Sequence, residues 1–129
     1  MGAVVAGTLS GIPSTIDALV HRRSILESTR AAGTLLGRRS IVRGAVAHAG
    51  MSLGWTAVLT TALPRHHEPA WGALAGAGIA ALDLGLARRH WPAIAALPTG
   101  AQVADHIAFG ALVGTVLSIS RRADAGARS

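Results

Sequence analysis

The sequence predicts an all-α integral membrane protein, a four-helix bundle with a short amphipathic or basic segment between the first two spans. Three observations carry that expectation. Half of the 129 residues are strongly apolar and another sixteen are glycine, while charged residues make up 14%, against roughly a quarter in ordinary globular proteins. The apolar residues come in long blocks, and mean hydropathy is +0.45. At about 20 residues per spanning helix, the length holds four spans with short connections and no separate soluble domain. The whole chain, 1–129, is therefore read as one membrane domain.

Uninterrupted apolar length places the spans at about 3–20, 41–63, 70–87 and 102–120. In the first, Pro13 interrupts the hydrogen-bond ladder and should kink the helix. The second and third are long and clean. The wholly apolar part of the fourth, 107–117, covers only about 16 Å at 1.5 Å per residue. To bridge a hydrocarbon core of about 30 Å, that helix must carry Asp105 and His106 within the bilayer or at its edge.

Between spans one and two, segment 21–40 carries Arg22, Arg23, Arg30, Arg38 and Arg39 beside Ile25, Leu26, Leu35 and Leu36. It reads as a short amphipathic helix on the membrane surface, or as a basic loop extending the helices. The second connection, 64–69, is a tight turn bracketed by Pro64 and Pro69. The third, 88–100, places Trp91 at headgroup level. With Arg43 assigned to the first connection, the first and third connections hold eight arginines, and the second connection plus the carboxyl tail hold four. That bias puts the first and third loops in the cytoplasm and both termini outside, although Arg121, Arg122 and Arg128 in the tail pull the other way.

Several function classes are excluded or disfavoured by composition. Cysteine is absent, which removes disulfides, thiolate metal sites and cysteine nucleophiles. All twelve basic residues are arginine, and in a membrane chain a net charge of +6 is explained by arginines flanking the spans, so no nucleic-acid partner is expected. The four aromatic residues are too few for a base-stacking platform. The first residues, Met-Gly-Ala-Val-Val, lack the basic region of a secretory signal. No GxSxG elbow, HExxH helix or phosphate-binding glycine loop is present, so no enzyme, cofactor or metal is expected. His66, His67 and Glu68 are adjacent residues without further ligands in view.

Each span holds a GxxxG pair: Gly7 and Gly11, Gly50 and Gly54, Gly72 and Gly76, Gly110 and Gly114. Small residues at this spacing let membrane helices approach closely, within one chain or between copies. A glycine-rich composition also produces such pairs by accident.

The ionisable residues follow the alternation of antiparallel spans. Asp17 and Asp83 fall after the midpoints of spans one and three, and His48, Asp105 and His106 before those of spans two and four. All then lie roughly 6 to 9 Å from the midplane, in one polar layer on the side of the arginine-rich loops. Ser10, Ser14, Asp17 and His21 form one helical stripe, Asp83 shares a face with Gly72 and Gly76, and His106 with Gly110 and Gly114. A lipid-facing Asp at a helix centre costs about 2.5 to 3.5 kcal/mol, which favours turning these groups inward. Two readings stay open. The acids pair with arginines, Arg43 above all, and the histidines fix helix register; or the cluster is a titratable proton or cation site. A hydrolase built on Ser14, Asp17 and a histidine is a third and weaker arrangement.

The segment Gly11-Ile12-Pro13-Ser14-Thr15-Ile16-Asp17-Ala18-Leu19, together with Ala104-Asp105-His106-Ile107-Ala108-Phe109-Gly110, resembles small four-helix membrane proteins of actinobacteria. The resemblance implies the fold and no activity. Small multidrug exporters place a glutamate in mid-span one, where this chain has Leu9, Ser10, Gly11 and Ile12; fluoride channels use asparagine, which is absent here. The expected function is a non-enzymatic accessory or assembly component of the membrane, acting on a second copy or another membrane protein. The alternative is a proton- or cation-linked carrier or channel for a small solute.

Overall fold

The computed structural model describes residues 9–128. Among them are six α-helices and no strand: α1 (Ile12–Val20), α2 (Glu27–Ala32), α3 (Ile41–Ala62), α4 (Glu68–His90), α5 (Pro92–Ala95) and α6 (Thr99–Gly126). A 3-10 turn, Gly33–Leu36, follows α2 directly.

The helix boundaries follow from local chemistry. Ser40, in extended backbone, accepts the amide of Arg43 and caps α3. Pro69 sits in the first turn of α4, where its missing N–H removes no helical bond. Pro92 pushes Trp91 into extended backbone and ends α4 there. Pro98 likewise precedes α6.

The centre of the fold is the antiparallel pair α4 and α6. A Cβ built on Gly72 would land on the carbonyl oxygen of Gly110, and one on Gly110 would land on that of Gly72. Gly76 meets the His106 carbonyl in the same way, and Gly114 that of Glu68. Four glycines thus let two backbones touch. Helix α3 closes over the pair through Leu59 and Leu63, which pack with Ile79, Phe109 and Val113. At its other end, Gly44 of α3 lies against the Thr29 carbonyl of α2, so segment 21–40 folds back onto α3 and buries Ala31 completely.

Two helices, α4 and α6, are long and apolar enough to cross a membrane. Helix α3 has 22 residues, about 33 Å at 1.5 Å per residue, but Arg43, His48, Ser52 and three threonines dilute its apolar character. The described part of the first expected span is nine residues long; 3–8 lie outside the described residues, as does Gly7. Pro13 does not kink a continuous helix in this region. Ser10 and Gly11 form a turn and α1 begins at Ile12, with Pro13 in its first turn, where a proline is tolerated.

Candidate functional site

Helices α1, α2, α3, α4 and α6, with the α4–α6 connection, surround a cavity of about 530 Å³, within the range of small-molecule sites. His48, Asp83, Asp105 and His106 all line it.

Asp83 and His106 form its polar centre. The indole Nε1–H of Trp55 donates to Asp83 Oδ2 at 2.9 Å, and His106 Nε2 lies 3.7 Å from the same oxygen. The other ring nitrogen, Nδ1, is 2.7 Å from the Gln102 carbonyl oxygen. A carbonyl can only accept, so Nδ1 carries a hydrogen and the proton state of the ring is decided at Nε2. Were Nε2 bare and Asp83 ionised, a lone pair would face a carboxylate with both side chains largely buried, 24% and 16% exposed. The arrangement is satisfied when one proton resides between them, as an imidazolium beside a carboxylate or as a carboxylic acid beside a neutral imidazole.

Asp105 is engaged differently. Its Oδ1 accepts the backbone amide of Ser14 at 2.9 Å and its Oδ2 accepts the Ser14 hydroxyl. Ser14 is the third residue of α1, whose own cap, Gly11, offers no side chain. Asp105 therefore supplies from α6 the acceptor that the start of α1 lacks, at the helix end where negative charge is favoured.

Asp17 is not brought into this group. Arg22 turns the chain with φ of 53°, and Arg23 comes back to pair with Asp17 Oδ2, while His21 lies 3.2 Å from Oδ1. Asp17 lines a separate crevice with Arg23 and Glu27. Arg43 bonds the Leu36 carbonyl at the end of the 3-10 turn, where Gly37 has φ of 100°, rather than a carboxylate of the cluster. Gly50 and Gly54 face open space, with nothing within 4 Å of a Cβ on either, and mark no helix contact within the chain. Gly11 serves as the backbone cap of α1.

Sequence reasoning missed Trp55, Gln102 and Ser14 as partners of the cluster. Trp55 lies seven residues after His48, on the same face of α3, and Gln102 four before His106, so helical spacing could have found both. Sequence reasoning also missed the clamp at the far end of α4 and α6, where Arg121 donates to Glu68 Oε1 and to the Pro64 carbonyl, both at 3.3 Å.

Comparison with known protein families, with curated proteins and with solved structures found no match.

Proposed function

We propose that this chain is a multi-pass membrane protein of four spans whose interior cavity binds a small solute in a proton-linked way through Asp83 and His106. The membrane part rests on the outer surface of the helices. In the apolar windows of α4 and α6 only 28% of residues are buried within the chain, whereas a core helix of a soluble protein would be mostly covered. Leu74, Leu82 and Leu86 of α4 and Val42, Val46 and Leu53 of α3 stand exposed, a continuous apolar surface that water disfavours and acyl chains accept. Threonine hydroxyls on this surface bond backward to their own helix, Thr60 to the Thr56 carbonyl and Thr115 to that of Ala111, and so need no water. In this reading α1 is the described part of the first span, and the arginine-rich connections 21–40 and 88–100 face the cytoplasm.

The observation that carries the solute reading is the Asp83–His106 pair on the wall of a cavity large enough for a ligand. A proton held between two side chains at that wall can be exchanged with whatever enters. The test is purified protein in liposomes under an imposed pH gradient, with Asp83→Asn beside the parent. Gradient-driven proton movement that the substitution abolishes supports the reading; equal movement in both, or none, contradicts it.

A second reading, a non-enzymatic accessory or assembly component, is favoured by the open Gly50–Gly54 face of α3. It predicts reproducible co-purification of a membrane protein that Gly54→Leu abolishes while the cavity is untouched.

A further inference from the structure

We infer that the cavity takes an organic monocation bearing an apolar or aromatic group, and that this cation and the Asp83–His106 proton exclude one another. The inference rests on the proton-linked reading above and adds the chemistry of the ligand.

Three features of the lining select that class. Two carboxylates, Asp83 and Asp105, line the cavity, and none of the twelve arginines does. An anion would meet only like charge there. Second, the chain has just four aromatic residues, three tryptophans and one phenylalanine, and Trp55, Trp91 and Phe109 all line this cavity. Aromatic faces beside a carboxylate attract a cation with a hydrocarbon periphery, since the ring quadrupole and the apolar wall act on different parts of one ligand. Third, Asp105 is already engaged by the α1 amide and hydroxyl of Ser14, which leaves Asp83, held by Trp55, as the acid that a ligand can share.

The exchange balances in charge. With His106 protonated at Nε2, the pair with Asp83 is neutral. When a monocation settles against Asp83, the Nε2 proton leaves to water and His106 keeps its Nδ1 hydrogen on the Gln102 carbonyl. One positive charge enters and one departs. The other titratable groups facing the pair are His48 of α3 and Asp105 of α6. The α1 and α2 walls contribute hydroxyls, among them Ser14 and Thr29, and the α4–α6 connection contributes apolar groups.

The test is calorimetric titration of the full chain in detergent with benzyltrimethylammonium, with its uncharged carbon isostere neopentylbenzene, and with benzoate. The runs are made at pH 5.5 and 8.5, in two buffers of different ionisation enthalpy. The expected result is binding of the cation alone, at least tenfold weaker at pH 5.5, with close to one proton released per cation at the lower pH. Asp83→Asn should weaken binding at least tenfold, whereas Asp17→Asn, outside the cavity, should leave it unchanged. His106→Gln should retain binding and lose most of its pH dependence, which separates exchange from simple misfolding. Equal binding of neopentylbenzene or benzoate, or cation binding without proton release, overturns the inference. Proton movement in liposomes that persists while the cation fails to bind also overturns it, and leaves the proton-linked reading standing.

Discussion

Asp105 of α6 holds the first turn of α1 through a single residue, Ser14, taking its amide on one carboxylate oxygen and its hydroxyl on the other. The two positions are 91 residues apart, so this contact fixes how the start of the chain docks on its last helix. Hydrogen bonds to charged groups contribute about 1.5–3 kcal/mol. Asp105→Ala should therefore destabilise the protein by about 2 kcal/mol, and Ser14→Ala, which spares the amide bond, by about 1 kcal/mol. Thermal unfolding in detergent, with hydrogen exchange at the start of α1, would check both. Equal effects from the two substitutions would contradict the amide contact.

The α4–α6 crossing gives a sharper contrast. An added methyl at Gly72 or Gly110 meets the opposite backbone, which cannot rotate aside as a side chain could, so Gly72→Ala or Gly110→Ala should cost about 1–3 kcal/mol by forcing the helices apart. Gly50→Ala and Gly54→Ala meet nothing in the chain and should be neutral or slightly stabilising, since alanine is the better helix former. Thermal midpoints of the four variants, measured side by side, decide it.

At the other end of the pair, Arg121 donates to Glu68 and to the carbonyls of Pro64 and Thr60. Removing the guanidinium frees the carboxyl end of α6 from the α3–α4 turn and leaves Glu68, buried at that turn, without its counter-charge. Arg121→Ala should raise hydrogen exchange and proteolytic nicking at 64–67 while leaving the Trp55–Asp83 contact intact. Arg122→Ala, a neighbouring exposed arginine, should do neither.

The absence of cysteine makes the proposed threading directly testable. Single cysteines at Ser24 and His66 should label from opposite sides of the membrane with an impermeant thiol reagent, the first from the cytoplasmic side. Labelling from the same side would refute an even crossing of α3.

Much of the helical skeleton could be read from the sequence, because apolar runs bounded by Pro64, Pro69, Pro92 and Pro98 leave little choice of where α4 and α6 begin and end. Glycine spacing on those two helices marked the positions where the backbones meet. The same spacing could not tell that Gly50 and Gly54 face outward, because α3 docks on segment 21–40 through Gly44 and on the α4–α6 pair through Leu59. The site was legible in depth and not in pairing. Counting along antiparallel helices assembled His48, Asp83, Asp105 and His106, but the periodicity that linked Asp17 to them assumed a straight helix beyond Val20. The turn at Arg22 instead delivers Arg23 to Asp17. Arg43 was lost as a charge partner for a related reason: the 3-10 turn presents the Leu36 carbonyl nearer than any acid. Periodicity within one helix carries no information about such returns of the chain.

The central claim is that Asp83 and His106 share one proton, with the imidazole held by Nδ1 on the Gln102 carbonyl. Nitrogen NMR of the histidine ring, assigned by comparison with His106→Gln and followed across pH, measures it most directly. The account predicts an Nδ1 that stays protonated throughout and an Nε2 whose titration changes when Asp83 is replaced by Asn. A neutral ring with its hydrogen on Nε2 and a bare Nδ1, or a titration indifferent to Asp83→Asn, would contradict it.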